Sequence, residues 1–281
     1  MKNVWKGSDL KKDIIGEVNI KMVNLEQIKL NATKMKNEGL DTKIVETAKE
    51  AYEFAKSKTT DFRGRFHTHV REYDVANILG IFGGAVKGLN IIDLGCGDNA
   101  LGGKEYAPVL STALAYLGAN VRGIDFPHAN EEDKKRIYDK LGFNYAHHNL
   151  IWPMKYCEEK TKEMFKDNDL IIMHSLLHNG LKMEDSGWGY HSSLEAEWNQ
   201  YIKTIKEIQR FNSKDSLCYL KIPSPNQFEW EIKRIDKKDI SEEEKTKEKD
   251  KYAVSRFKSA FGEIIFGEEI PGQHVFTINL H

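Results

Sequence analysis

The sequence predicts an α/β fold, a doubly wound and mostly parallel β-sheet with helices on both faces. Two observations support this prediction. Short apolar runs that suit buried strands alternate along the chain with longer segments in which apolar residues recur at helical spacing. The stretch 90–125 contains one complete unit of strand, glycine turn, helix and strand, and such units favour parallel pairing of their strands.

The stretch 90–125 is the unit on which the rest of the prediction depends. Its first strand ends at Asp93 and Leu94, and a Gly-Cys-Gly turn follows at 95–97. Apolar residues at helical spacing then predict a helix that ends at about Leu117, before a second strand that ends at Asp125.

The turn at 95–97 and the end of the second strand form a nucleotide-sized mouth. Glycines there let backbone N–H groups approach a ligand, and Asp125 can accept hydrogen bonds from ribose hydroxyls. The run 95–100 also satisfies the dinucleotide pattern G-x-G-x-x-G/A, so NAD is one candidate ligand. Asp93 argues against NAD, because a carboxylate there would face the pyrophosphate. It suits S-adenosylmethionine, which has a ribose and an ammonium group but no phosphate.

These residues resemble the Rossmann-like (class I) S-adenosylmethionine-dependent methyltransferases. The sequence DLGCG at 93–97 matches the D-x-G-x-G strand-turn of that family, and VRGIDF at 121–126 is similar to its second-strand signature. The chain departs from the family pattern at Asn99, where a third glycine is frequent, and in the extra residues at 102–104. The resemblance implies that S-adenosylmethionine binds at Asp93, Gly95, Cys96, Gly97, Asp125 and Phe126.

Two helices are predicted in the N-terminal part of the chain. One runs from Asp41 or Thr42 to about Lys58, and the other from Val70 to about Phe82. Residues 1 to about 30 give no clear pattern.

In the resembled family, helices of this kind often pack over the cofactor mouth. The resemblance therefore implies an N-terminal helical cap or lid over residues 1–82, followed by a Rossmann-like domain over 83–281. Arg71 and Tyr73 would contact the cofactor from such a lid. The alternative is a surface loop followed by an ordinary packing helix.

The third strand is predicted at 143–147, and polar residues follow it. In the resembled family a polar residue after this strand meets the adenine. Asn149, next to Leu150, is the best match by position, so both are candidate cofactor-binding residues. The alternative is that Asn149 is a turn residue.

The fourth strand, at 169–173, is followed by His174 and, four residues later, by His178. Ligands of open α/β sheets bind beyond the carboxyl ends of the strands, so His174 is placed near the reactive methyl group and among the cofactor contacts. Either histidine could take a proton from an acceptor hydroxyl. The alternative is that both line the pocket without catalysing. Ser175 stands where a zinc protease carries glutamate, so no metal site is expected.

The remaining segments complete the predicted sheet. A loop at 182–193, which contains the third candidate catalytic residue, His191, could form a wall of the acceptor pocket. The fifth strand is predicted at 217–222, and a charged insertion of mixed sign covers 236–251. Two strands at 263–267 and 274–280, joined by a Pro-Gly turn, are predicted as an antiparallel C-terminal pair.

The composition excludes several classes of partner. The chain has 42 basic and 43 acidic residues, so its overall charge predicts neither nucleic-acid nor membrane binding. Its three cysteines form no disulfide framework or zinc spacing. The first residues lack an apolar signal core, and a cytoplasmic protein is expected.

The sequence therefore predicts an S-adenosylmethionine-dependent methyltransferase. The expected reaction is O-methylation of a hydroxyl on a small polar metabolite, such as a sugar or polysaccharide precursor. N-methylation of a small molecule is the near alternative. An NAD-dependent oxidoreductase and a non-catalytic S-adenosylmethionine-binding scaffold are the alternatives from other classes.

Overall fold

The computed structural model describes residues 24–59, 70–97, 107–125, 144–147, 166–174, 216–223, 234–248, 264–270 and 273–280, and positions 206, 251 and 259. The helices are α1 (Leu25–Glu38), α2 (Thr42–Thr59), α3 (Glu72–Ile81) and α4 (Val109–Tyr116). The strands are β1 (Asn90–Leu94), β2 (Asn120–Asp125), β3 (Asn144–His147), β4 (Leu170–His174), β5 (Ser216–Pro223), β6 (Ile264–Ile270) and β7 (Gln273–Leu280).

Seven strands form one sheet in the order β3-β2-β1-β4-β5-β7-β6. The first five strands along the chain are parallel to one another. From β1 the chain proceeds outward through β2 and β3, and it then returns to place β4 on the other side of β1. The carboxyl ends of β1 and β4 therefore flank the point at which the strand order reverses, which is where open α/β sheets bind their ligands.

The predicted fold class needs a correction at the C-terminal end of the sheet. The sequence predicts a mostly parallel sheet that ends with an antiparallel C-terminal strand pair. In the structure β7 is an interior strand, antiparallel both to β5 and to β6, and β6 takes the edge. Because only residues 271–272 separate β6 from β7, the chain must reverse its direction between them.

The helices of the predicted lid belong to the core of the molecule. Side chains of α1, α2 and α3 belong to the same hydrophobic cluster as α4 and the strand residues Ile91 and Ile172. The α2 residues Ala48, Ala51 and Ala55 are fully buried. These helices thus form part of the layer on one face of the sheet, and apolar surface of this kind stabilises the fold only while it stays covered. The predicted boundary between residues 82 and 83 stays a prediction.

The opposite face of the sheet is buried as well. Ile92, Ile171 and Met173 alternate along β1 and β4 with the residues that face the helical layer, and each is at most 2% exposed. Strands buried on both faces are typical of parallel sheets.

Helix α1 was not predicted, because residues before about 30 give no clear pattern. Its N-cap Asn24 accepts a hydrogen bond from the backbone N–H of Gln27. Its buried residues Ile28, Ala32 and Met35 recur at helical spacing. The other helices and strands in the described ranges lie close to the predicted bounds. The helices predicted outside those ranges are not described by the structure.

The charged segment is helical over 242–248, and the ion pair of Glu243 with Lys247 forms at 2.8 Å on its exposed surface. No helix among the described residues is long and apolar enough to cross a membrane.

The shared core predicts how substitutions in α1 will affect stability. Replacing the buried Ile28 by alanine should lower the free energy of unfolding by about 2–5 kcal/mol, because the change removes apolar contacts and leaves a cavity. Leu30→Ala in the same helix is the matched control, since Leu30 is 63% exposed and its change should cost within about 0.5 kcal/mol. Urea unfolding followed by circular dichroism measures both. A separate early transition in the Ile28 variant would contradict a single core.

Candidate functional site

The glycine turn after β1 has the backbone conformation that its sequence predicts. Gly95 and Gly97 have φ angles of 75° and 94°, in the region that other residues rarely adopt. The N–H groups of Gly95 and Cys96 donate to the carbonyl oxygen of Ile124 at 2.7 and 3.2 Å. These two donors therefore bind the end of β2, and they fix Asp125, the next residue, beside the turn.

Asp93 lies beneath this turn. Its side chain is buried, with the residue 2% exposed, and its Oδ2 accepts a hydrogen bond from the hydroxyl of Ser111 in α4 at 2.6 Å. The bond ties the end of β1 to the helix that covers it. Because Asp93 is enclosed, its effect on a ligand's ammonium group would be transmitted through the turn.

A second polar cluster surrounds Asp74, in the first turn of α3, and no part of Asp74 is exposed. Its Oδ2 accepts hydrogen bonds from the backbone N–H of Arg71 at 2.7 Å and from Lys221 Nζ at 2.9 Å. His174 Nε2 lies 3.1 Å from the same oxygen. The hydroxyl of Tyr219 donates to Oδ1 at 2.9 Å. We call Asp74, His174, Tyr219 and Lys221 the Asp74 cluster.

Strand register explains why these residues meet. His174 ends β4 and pairs with Lys221 of β5, so both side chains leave the sheet on the same face. Tyr219 precedes Lys221 by two residues and faces the same way. The N-terminus of α3 packs over this end of the two strands and supplies the carboxylate.

The charges of the Asp74 cluster depend on one another. Burial by itself would raise the pKa of Asp74, but the cations of His174 and Lys221 and the backbone N–H of Arg71 hold it at about 2. Burial lowers the pKa of His174 below 6.5, because it outweighs the neighbouring Asp74, and Lys221 acts in the same direction. His174 is thus neutral near pH 7.

Burial also sets the direction for the two β5 side chains. It lowers the pKa of Lys221 despite the attraction of Asp74, and it raises the pKa of the Tyr219 hydroxyl well above 10. The Lys221 ammonium lies 4.7 Å from the ring centroid of Tyr73, a cation–π contact. Lys221 is therefore enclosed by one carboxylate and one aromatic face.

The predicted site residues fall into two groups in the structure. Asp93, Gly95, Cys96, Gly97 and the backbone of Asp125 lie together at the ends of β1 and β2. His174, Arg71 and Tyr73 lie toward β4 and β5: Arg71 is exposed and begins α3, and Tyr73 packs over Lys221. Outside the described residues are Phe126, Asn149, Leu150, His178 and His191.

Sequence reasoning missed Asp74, Tyr219 and Lys221 as a functional group. A signal for two of them was present, because Lys221 stands in an apolar strand and Asp74 in an apolar helix. Charged residues in elements that are predicted to be buried require a partner. The identity of that partner depends on the register of β4 with β5 and on the placement of α3.

No protein-family model matches the sequence, and no curated protein matches it. Solved structures with a partial likeness include a Thermoplasma acidophilum protein (13% identity, TM-score 0.44, covering 82% of this chain and 98% of that one). Another is the magnesium protoporphyrin IX methyltransferase of Synechocystis with bound S-adenosylhomocysteine (11% identity, TM-score 0.39, covering 90% of this chain and 99% of that one). A third is a T. thermophilus 16S rRNA methyltransferase with AdoMet and guanosine (13% identity, TM-score 0.42, covering 78% of this chain and 45% of that one).

Several structures that resemble the chain are thus S-adenosylmethionine-dependent methyltransferases with that cofactor or its product bound. The TM-scores of the three structures lie below 0.5 and their identities do not exceed 13%, so the likeness does not show what the chain does.

The low pKa of His174 predicts a pH dependence of stability. The unfolded chain takes up a proton on this residue below about pH 6.5, and the fold resists the same proton, so the free energy of unfolding should fall from about pH 7 to pH 5. His174→Gln cannot titrate and should flatten this part of the profile. Urea unfolding at several pH values measures the slope, and equal slopes in both proteins would contradict the assignment.

Proposed function

We propose that the chain is an S-adenosylmethionine-dependent methyltransferase. The observation that carries the proposal is the pairing of a glycine turn with a buried carboxylate, Asp93, at the strand end beside the switch in strand order. The turn holds the end of β2, so the backbone of Asp125, the residue after Ile124, lies next to it. A ligand with a ribose and an ammonium group fits this pair of acidic residues better than a ligand with a pyrophosphate.

The residues present fit the cofactor at both of its polar ends. We place its ribose at Asp125, whose carboxylate can accept two hydroxyl hydrogen bonds. We place its amino-acid end at the turn above Asp93, where a buried negative charge favours an ammonium group. When bound, the cofactor supplies a methyl group that its sulfonium already makes electrophilic. The protein then has mainly to align an acceptor with that group.

The geometry of the turn argues against NAD. In the dinucleotide-binding pattern the glycine turn leads into the helix that receives the pyrophosphate at its N-terminus. Here the carboxylate of Asp93 lies beneath the glycine turn and bonds to Ser111 in the first turn of α4, so a pyrophosphate at this helix end would meet a negative charge.

We propose a hydroxyl of a small polar metabolite, such as a sugar or polysaccharide precursor, as the acceptor. The support is His174 at the end of β4, which is neutral near pH 7 and next to a buried carboxylate. A neutral imidazole can take the proton that a hydroxyl must lose as it is methylated. This pairing is the reason for preferring oxygen to nitrogen as the acceptor atom. Cytoplasmic location stays a prediction from the sequence.

Calorimetric titration with S-adenosylhomocysteine tests the cofactor assignment. We expect micromolar binding to the unaltered protein, and about 10–100-fold weaker binding to Asp125→Ala, because hydrogen bonds to a charged group contribute about 1.5–3 kcal/mol. Asp239→Ala, in the exposed charged segment, is the control and should bind normally. NAD is titrated in parallel. Binding of NAD alone, or equal affinity of the Asp125 variant, would overturn the assignment.

A transfer assay with methyl-labelled S-adenosylmethionine tests the acceptor. A panel of sugars, other small hydroxyl compounds and small amines is screened by mass spectrometry, and hydroxyl acceptors should gain the label. His174→Gln should then lower turnover about 10²–10⁴-fold, the range for loss of a general base, with little change in S-adenosylhomocysteine affinity. Labelling of amines alone would replace O-methylation by N-methylation. Binding without transfer to any acceptor would favour a scaffold.

A further inference from the structure

The carboxylate of Asp74 joins the N-terminal helical layer to the strand ends where the proposed reaction takes place. Asp74 lies in α3, and its side-chain partners lie about 100 or more positions further along the chain, at residues 174, 219 and 221. The first turn of α3 supports the carboxylate from its own side, because the N–H of Arg71 also bonds to Oδ2.

We propose, on the basis of the methyltransferase function proposed above, that Asp74 is a positioning residue that holds the His174 imidazole for proton transfer from the acceptor. We further propose that Lys221 weakens the stabilisation of a protonated His174 by Asp74, because it bonds the same carboxylate oxygen. His174 is the group that meets the acceptor, whereas Asp74 and Lys221 act through it.

The three side chains differ in how far they are buried, which agrees with their different roles. The side chains of Asp74 and Lys221 are completely enclosed, whereas 6% of the His174 side chain is exposed. Of these three side chains, His174 is therefore the one with surface that an acceptor could contact. Asp74 is bonded at both oxygens, to Tyr219 through Oδ1 and to His174 and Lys221 through Oδ2, so it cannot turn away from the imidazole without breaking several bonds.

The geometry assigns each ring nitrogen a role. Nε2 faces Asp74, so it carries the hydrogen that is donated to the carboxylate. Proton uptake is then assigned to Nδ1. As the acceptor oxygen bonds to the methyl carbon, its O–H proton passes to Nδ1, the carbon–sulfur bond breaks, and its electron pair stays on sulfur. The imidazolium that results lies against the negative charge of Asp74, which stabilises it.

Lys221 acts in the opposite sense. Its ammonium lies 2.9 Å from the oxygen that His174 also contacts, so it competes for the charge of that oxygen and repels an imidazolium. Other titratable groups near the Asp74 cluster, among the described residues, include Tyr52, Tyr73 and Arg71, and Asp93 lies on the same face of the neighbouring strand. Asp74 and Lys221 are the charged groups that act most strongly on the pKa of His174, the first raising it and the second lowering it.

The test measures the titration of the His174 ring by NMR, with His174→Gln used to assign its signal. In Asp74→Asn the pKa of His174 should fall, because the stabilising charge is lost. In Lys221→Met it should rise by about 1–3 units, because the carboxylate then acts on His174 alone. A merely structural role predicts no such opposite shifts. If the Asp74 variant does not fold, the expected rise in the pKa of His174 in Lys221→Met is by itself the test of the proposal.

Asp169→Asn is the matched control. Asp169 is a buried carboxylate just before β4, at the opposite end of that strand from His174, and it accepts a hydrogen bond from the backbone N–H of Asn90. This variant should lose stability but leave the titration of His174 unchanged. Unchanged titration in both cluster variants, or shifts of the same sign, would overturn the proposal.

Two further measurements distinguish a failure of this proposal from a failure of the methyltransferase assignment. If the unaltered protein does not bind S-adenosylhomocysteine, the methyltransferase assignment is overturned, and the catalytic role of the Asp74 cluster is overturned with it. If transfer to an acceptor is found, the acid limb of the pH profile of kcat/KM should move down in Asp74→Asn and up in Lys221→Met. Acid limbs that coincide with that of the unaltered enzyme would overturn the positioning role while leaving the methyltransferase assignment intact.

Discussion

The constraint on which the arrangement of α3, β4 and β5 depends is the burial of one carboxylate, Asp74. A buried charge costs several kcal/mol of desolvation, and the cost is offset only when all of its acceptor sites are paired. Four donors, from the N-cap residue of α3 and from β4 and β5, meet this requirement at distances of 2.7–3.1 Å. The requirement fixes how these three elements sit relative to one another, since a displaced partner would leave a charge unpaired.

The hydrophobic layer supplies the rigid support for that arrangement. The small side chains of α2 allow close packing, and the same apolar cluster continues through α3 and α4 onto the sheet. At the other half of the mouth, the bond between Asp93 and Ser111 and the bonds from the turn to Ile124 hold β1, β2 and α4 together. The proposed cofactor and acceptor sides thus rest on one packed core, which is the preorganisation that positional catalysis needs.

Much of the fold could be read from local patterns. Apolar runs and helical periodicity placed β1, α4, β2, β4 and β5 near their observed bounds, because side-chain burial on a strand or helix leaves a short-range signal. The sequence left a lid and an ordinary packing layer open for the N-terminal helices, because periodicity reports that a helix buries one face but not which surface covers that face. Helix α1 was missed because its buried stripe is narrow, consisting of Ile28, Ala32 and Met35.

The chain's local sequence was enough to specify the glycine turn at 95–97, the acidic residues at the ends of β1 and β2, and the histidine at the end of β4. These features are contiguous motifs whose chemistry follows from residue type and strand position. The meeting of Asp74 with His174, Tyr219 and Lys221 required the folded chain, because it depends on strand register and on the docking of α3. Contacts between residues so distant in sequence are set by the packing of whole elements, for which a single sequence carries no direct signal.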